Sequence, residues 1–320
     1  MKAPSSLLRW LTPVAIVLLI VFAVYYPRQI DKQNIWNLFF LICLHISLGQ
    51  SWNILSGYAG QTNLGHAAFF GIGTLVTRML WLGGKPFALA FLLGGLAAVA
   101  FALIIGVPTF RLRGTYFAIG TLGIAEVMRI TVSQNMPLIS TMPGLMIANY
   151  DLPSRYYLAL GLAIATTGTA YLLLRSPWSL GILAVREDEM AAQATGVHVL
   201  RHKLLALVLS SFFAGLTGGV FAYQQISYYH YAPFSPIWTF DALLITFIGG
   251  LGTLAGPVIG SIFFIVVREQ LAVNLAEIHQ VIFGILFILI VLVFPGWLVE
   301  AWARLKKLFL NTKYTKVTKE

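Results

Sequence analysis

SPWSLGILAVREDEMAAQATGVHVLRHK, residues Ser176 to Lys203, lies between two long apolar runs, and its reading decides how the rest of the chain is organised. The segment has helical composition and brings Arg186, Glu187, Asp188 and Glu189 together. Four consecutive charges belong in water. The chain around them does not: 58% of the 320 residues are hydrophobic and 10% are charged, with a mean hydropathy of +0.83. That composition describes a polytopic membrane protein, not a soluble domain. The segment is therefore a polar loop outside the bilayer, within reach of another protein.

A span needs roughly 20 mainly apolar residues, and its backbone polar groups must be paired internally. The chain offers continuous apolar runs, not the alternation of barrel strands, so the class is all-α. The runs predict spans near 11–26, 36–56, 64–82, 87–109, 115–134, 156–174, 204–224, 238–250, 256–273 and 279–298. The run 64–82 is rich in Gly and polar residues and 238–250 is short, so each reads as a crossing or as a broken or re-entrant helix. The expectation is eight to ten spans in a single membrane domain, residues 1–303, with the loop 176–203 projecting from it.

Short cytoplasmic loops accumulate Lys and Arg. With the amino terminus inside, fourteen of the 21 Lys and Arg fall on the cytoplasmic side. They run from Lys2 and Arg9 through Arg111, Arg113, Arg175 and the polar loop to the basic tail 304–320. An even number of spans returns the carboxyl terminus to the cytoplasm. The net charge of +10 is thereby accounted for by topology and anionic headgroups, and nucleic-acid binding is not needed to explain it. The first apolar run is followed by Tyr25, Tyr26, Pro27 and Arg28, an interfacial anchor with no small-residue cleavage site, so it reads as a span and not as a signal peptide.

Cys43 is the only cysteine, which excludes an intramolecular disulfide and a cysteine metal cluster. The six histidines lack metal-ligand spacing, and no metal or other cofactor is expected; His198 and His202, four apart, read as solvated loop residues. No GxxxxGK[ST] motif is present, so the chain does not hydrolyse ATP. Gly83, Gly84 and Pro86 read as a tight turn between spans. Glu126 and Arg129, three apart on one helix, read as a structural pair, and Asp241, just after Trp238, as an interfacial group.

Two glycine-rich interruptions fall in opposite halves: GYAGQTNLGHAAFFGIG from Gly57 and GGLGTLAGPVIG from Gly249. Paired interruptions of this kind point to a path at the membrane midplane. The candidate pathway residues are Gly57, Gln61, Asn63, Gly65 and His66 in the first, and Gly249, Gly250 and Gly252 in the second. Close helix packing through small residues explains the second stretch equally well. In the first, Gln61, Asn63 and His66 add polar groups that packing does not require.

GQTNLGHAAFFGIG, RLRGTYFAIGTLGIAE, SPWSLGILAVREDEMAAQATG and GGLGTLAGPVIG occur in an order that resembles the LivM-type permease subunit of branched-chain amino acid ABC importers. GILFILIVLVFPGWL resembles that family's final span, and the resemblance covers about Leu48 to Leu298. It implies an ABC type II importer-like permease fold and a multi-pass subunit of the bacterial inner membrane. It further implies two ABC ATPase subunits, a homologous second permease and a periplasmic or lipid-anchored substrate-binding protein. The polar loop is then the coupling element gripped by an ATPase, with Arg186, Glu187, Glu189, Ala191, Ala192 and Gly196 as the coupling residues.

The spacing of Ala191, Ala192 and Gly196 resembles the coupling motif of importer permeases, although Met190 stands where that motif has glutamate. Asn63 stands where relatives have serine, Ser179 and Leu180 replace a Gly-Arg pair, and the glycine element near Met142, Pro143 and Gly144 is reduced. The substrate implied is a branched-chain or related amino acid, and no residue reads out the ligand. A secondary carrier or channel would need an ion site or a coupled carboxylate within the spans, for which only Glu126 and Asp241 stand available. A membrane enzyme would need clustered catalytic residues, and none is visible.

Overall fold

A computed structural model describes residues 23–30, 32–274 and Gly284. Most of the predicted spans 11–26 and 279–298 and all of the tail 304–320 lie outside the described residues. The remaining eight spans are all helices. A helical stretch at 23–30 leads to α1, Gln33–Asn53, which runs on as a π-helical turn, Ile54–Tyr58. Then come α2 (His66–Leu82), α3 (Phe87–Thr109), α4 (Thr115–Asn135), β1 (Ile139–Thr141), α5 (Gly144–Ala148) and α6 (Leu152–Arg175). The second half holds α7 (Trp178–Glu187), α8 (Glu189–Ala194), α9 (Val199–Gln224), β2 (Ser227–Tyr229), a 3-10 turn Ala232–Phe234, α10 (Pro236–Gly249) and α11 (Gly256–Asn274).

Five of these helical segments are long and apolar enough to cross a membrane. Two are interior: the windows in α1 with its π turn and in α9 are 72% buried, against 28% in α3 and α4. The outer pair presents Ile104, Tyr116, Ile119 and Val127, the surface that lipid solvates. α10 has 14 residues, about 21 Å at 1.5 Å per residue, short of the roughly 30 Å hydrocarbon core. It is no clean crossing. It turns back through Gly250–Ala255 into α11, with Gly249 against Gly256 and Ile245 against Gly260, a helical hairpin.

α9 packs on α2 and α3 through small residues. A Cβ on Gly73 would lie 2.0 Å from the Gly215 carbonyl oxygen, and one on Gly218 equally close to that of Phe70. Only glycine lets these backbones approach, the usual device where lipid supplies no hydrophobic drive between helices. α1 and α6 close the other side: Trp36 meets Tyr156 edge-on at 5.4 Å, and the Tyr156 hydroxyl donates to Ala23 O at 2.6 Å. Gly84, at φ +85°, makes the tight turn expected between α2 and α3. The Glu126–Arg129 pair forms as read, with Arg129 Nε donating to Glu126 Oε2 at 2.8 Å.

At one end of the molecule β1 and β2 pair antiparallel, Ser140 opposite Tyr228. Two buried arginines sit there, held by carbonyls instead of carboxylates. Arg78 donates to Ser140 Oγ (3.0 Å), Ala222 O (3.0 Å), Gln225 O (3.1 Å) and Ile226 O (2.9 Å). Arg155 donates to Tyr223 O (2.9 Å) and lies over Tyr150, 3.7 Å from its ring centre. Together they satisfy the free carbonyls at the carboxyl end of α9, where the helix dipole favours cations.

Asp241 departs from the interfacial reading. It is buried between three helices, its Oδ2 accepting from Arg268 Nη1 at 2.9 Å and lying 3.5 Å from His45 Nε2. The fold makes this possible because the α10–α11 hairpin packs against α1 and brings an arginine and a histidine to the carboxylate.

Candidate functional site

The polar segment 176–203 folds as two short helices and a turn at the end of the molecule opposite the β-pair. Asp188 is extended, with φ −157°, which ends α7, and its Oδ1 accepts from the backbone N–H of Met190 (2.7 Å) and Ala191 (3.1 Å). One residue thus stops the first helix and caps the second. Gly196, at φ +86°, closes α8 in the left-handed region that glycine adopts without a Cβ penalty. The next helix begins earlier than apolarity predicts: Leu200–Lys203 belong to α9, and Lys203 is buried. His202 is not a solvated loop residue either, since its ring packs 5.3 Å from Trp178 on α7.

Directly beneath these helices the two glycine-rich interruptions meet. Asn53, the last residue of α1, joins them: its Nδ2 donates to Thr253 O and its Oδ1 accepts from Gly252 N, both at 2.9 Å. Gly57 lies in the π turn against Gly252. A Cβ on Gly57 would fall 1.9 Å from Asn53 Oδ1 and 2.8 Å from Gly252 N. π turns inside α-helices recur at functional sites, and this one gives the interior helix its broken end.

Arg186 covers the joint from α7. Its Nη1 donates to Gly57 O at 3.1 Å, and a Cβ on Gly252 would meet that same nitrogen at 2.7 Å. Gly60, at φ +70°, lies under the Arg186 backbone, where a Cβ would stand 3.1 Å from its Cα. A second fastening starts from α8. Glu189 Oε1 pairs with Lys203 Nζ and accepts from Gln61 Nε2 at 3.1 Å.

The remaining residues of the two stretches are placed as follows. Asn63 caps the turn before α2, its Oδ1 accepting from Gly65 N at 2.8 Å and its carbonyl from Trp52 Nε1 at 2.8 Å. Gly65 lies against α4, where a Cβ would be 2.2 Å from Thr121 O. His66, fully buried, has Nε2 2.9 Å from Ser51 Oγ, and its Nδ1 has no hydrogen-bond partner. Gly249 and Gly250 form the hairpin bend, with Gly249 packed on Gly256. Glu187, Ala191 and Gly196 are exposed, whereas Ala192 is buried. Beside them a groove of about 680 Å³ is lined by Phe110, Arg111, Arg113, Met190, Gly196 and Arg201 among others.

Two participants escape sequence reasoning. Asn53 is one polar residue at the end of an apolar run, and Lys203 is indistinguishable by position from a solvated cytoplasmic lysine. Gly60 lies within the first glycine-rich stretch, and its place beside a Tyr-Ala pair gives no hint of Arg186. Among the described residues no group of three or more His, Cys, Asp or Glu is placed to hold a metal. The site consists of polar links between an exposed helix pair and the broken end of α1.

Fold and site together define a multi-pass, all-α membrane protein with an external helix pair seated on a re-entrant glycine joint. Residues 34–291 match the model of the family described as branched-chain amino acid transport system / permease component, and the chain belongs to that family. It is 29% identical over 310 residues to the high-affinity branched-chain amino acid transport system permease protein LivM of Escherichia coli (strain K12), covering 87% of this chain and 72% of that one. A probable branched-chain amino acid transport permease protein LivM of Methanocaldococcus jannaschii is 22% identical, over 85% and 94% of the two chains. The solved structure of PsaBC from Streptococcus pneumoniae in complex with Fab aligns with TM-score 0.47 and 14% identity, over 84% of this chain and 93% of that one.

Proposed function

We propose that this chain is the non-catalytic permease subunit of an ABC importer of the bacterial inner membrane, providing half of a pathway for branched-chain or related amino acids. One observation carries the coupling part of this reading. The loop 176–203 is fastened by Arg186 and Glu189 to the joint where the two glycine-rich interruptions meet. A force applied to α7 and α8 is thus delivered to the broken end of α1, the bend of the α10–α11 hairpin and the start of α2.

In this reading separate ATPase subunits supply the force. They grip the exposed face of the helix pair, where Leu180 and Met190 are 76% and 69% exposed. Residues 1–303 form one permease domain, both termini and the tail 304–320 are cytoplasmic, and the β-pair faces outward toward a substrate-binding protein. A homologous second permease supplies the other half of the pathway. Selection of the amino acid falls chiefly to the binding protein, since the polar side chains of the joint are engaged with one another.

The test is purification of the tagged chain from mild detergent with whatever accompanies it, followed by an ATPase assay. Co-purification of ATPase subunits with vanadate-sensitive turnover, and uptake of leucine on reconstitution with the binding protein, is the expected result. A chain that purifies alone and moves solute under an ion gradient overturns the reading in favour of a secondary carrier.

A further inference from the structure

Lys203 has no role in the reading above, yet it is among the largest fully buried side chains of the protein. A buried ammonium is tolerated only when paired and hydrogen-bonded, because its desolvation is worth several kcal/mol. It meets the Glu189 carboxylate and the face of Phe110, whose ring centre lies 5.6 Å away. The lysine is anchored: it stands in α9, one turn before Ala206 and Leu207, which are buried in the core against α3. Glu189 is not anchored in that way. It begins a helix of six residues that projects into water.

The fixed member of the pair therefore positions the free one, and the positioned oxygen has a second duty. The same Oε1 that meets Lys203 accepts from Gln61 Nε2, and Gln61 stands in the loop between the π turn and α2. That loop is itself held by backbone bonds, Gln61 N to Leu55 O at 3.2 Å and Asn63 N to Ser56 Oγ at 3.3 Å. Three elements, α8, α9 and the 59–65 loop, converge on one carboxylate oxygen, and the loop is far in sequence from the other two.

We propose that Lys203 and Gln61 are positioning residues that lock Glu189 into a three-way joint, so that α8 drives the central helix α9 and the 59–65 loop as one body. The proposal rests on the importer reading for its purpose and on geometry alone for its existence. Arg186 forms a parallel link through α7; the Glu189 joint ties the α8–α9 turn to the 59–65 loop.

Two measurements on the full-length chain test it. The first is hydrogen exchange on the purified chain, with Glu189→Gln, Lys203→Met and Gln61→Ala. Loss of one charge-assisted bond is expected to speed exchange at the amides of Gln61 and Asn63 roughly tenfold in the first two variants. Gln61→Ala leaves the ion pair intact and guards against simple misfolding; it is expected to speed exchange in the 59–65 loop while the first turns of α9 stay protected. The second is leucine taken up per ATP hydrolysed by the reconstituted assembly. Each variant is expected to lower that ratio roughly tenfold in normally assembled complex. The double change Glu189→Gln/Lys203→Met is expected to fall no further than either single change, since both break one link.

Unchanged exchange in Glu189→Gln and Lys203→Met overturns the joint, as does an unchanged uptake-to-hydrolysis ratio in all three variants or a multiplicative loss in the double. If the wild-type chain brings no ATPase with it, the importer reading fails, and the exchange result still decides whether the joint exists.

Discussion

Gly57→Ala is the sharpest perturbation of the glycine joint, because the added methyl has nowhere to go. Its position lies 1.9 Å from Asn53 Oδ1 and 2.8 Å from Gly252 N, against ordinary contacts of 3.4–4 Å. Asn53 can rotate away, but rotation breaks both of its bonds, to Thr253 O and from Gly252 N. Each orphaned, partly buried group costs roughly 1–2 kcal/mol. The second contact is with backbone, which no rotamer relieves, so a local loss of about 3–5 kcal/mol is expected. At 1.4 kcal/mol per tenfold, 3 kcal/mol corresponds to an increase of about a hundredfold in opening at the joint. The assay is hydrogen exchange of the amides of Gly252 and Thr253 in the purified chain. Asn53→Ala orphans the same two groups without the overlap and is expected to lose about 2–4 kcal/mol. The double variant removes the clash with Asn53 yet retains the one with Gly252, so it should match Gly57→Ala and fall well short of the sum. Wild-type exchange at Gly252 in Gly57→Ala, or full additivity in the double, refutes the joint as described.

Three further outcomes follow from the same geometry. Gly196→Leu places a branched side chain at φ +86°, a loss of about 1–2 kcal/mol confined to the turn after α8; membrane insertion is expected to persist while transport and transport-linked ATPase activity fall together, and normal activity argues against the coupling assignment. Arg78→Met leaves the carbonyls of Ala222 and Gln225 without the Arg78 donor and that of Ile226 with Met142 N alone, and a loss of about 2–4 kcal/mol is expected in detergent thermal unfolding. An unfolding midpoint no lower than that of Arg111→Met, made at an exposed site, counts against Arg78 as the cap of α9. Asp241→Asn removes the acceptor charge shared by Arg268 and His45. Breaking a buried pair destabilises by roughly 3–5 kcal/mol, less here because Arg268 is 36% exposed, and a neutral effect in thermal unfolding refutes a structural role for the pair.

Span positions are legible in the sequence because the bilayer imposes one simple rule, a length of apolar residues, and that rule is local. The apolar run 87–109 predicts α3 to the residue, whereas α6 and α9 begin four and five residues early because their first turns carry polar side chains. Tyr156 and Lys203 each lie where composition says the helix has scarcely begun. The pairing of the glycine interruptions was legible as a pattern, but not the partner that joins them, since Asn53 and Thr253 are 200 positions apart. The β1–β2 pair was not legible at all: three residues per strand carry too little alternation to read.

The charges were read least well, and for a physical reason. Counting Lys and Arg by side of the membrane treats a cation as a group seeking water and anionic lipid. Arg78, Arg155 and Lys203 seek something else, the carboxyl end of α9 in two cases and a carboxylate on α8 in the third. Each sits near the end of a span, Lys203 on the side the counting rule favours and the two arginines at the opposite end, yet each is turned inward. Position along the chain can say that a cation is near an interface; only the neighbouring elements can say whether it faces the water or holds the fold. The two ends of α9 show the consequence: at one end its carbonyls are held by arginines from α2 and α6, and at the other its lysine holds the loop on which an external force would act. Fastened at both ends, α9 is the element through which the proposed coupling would carry displacement from the loop 176–203 toward the arginine-held end.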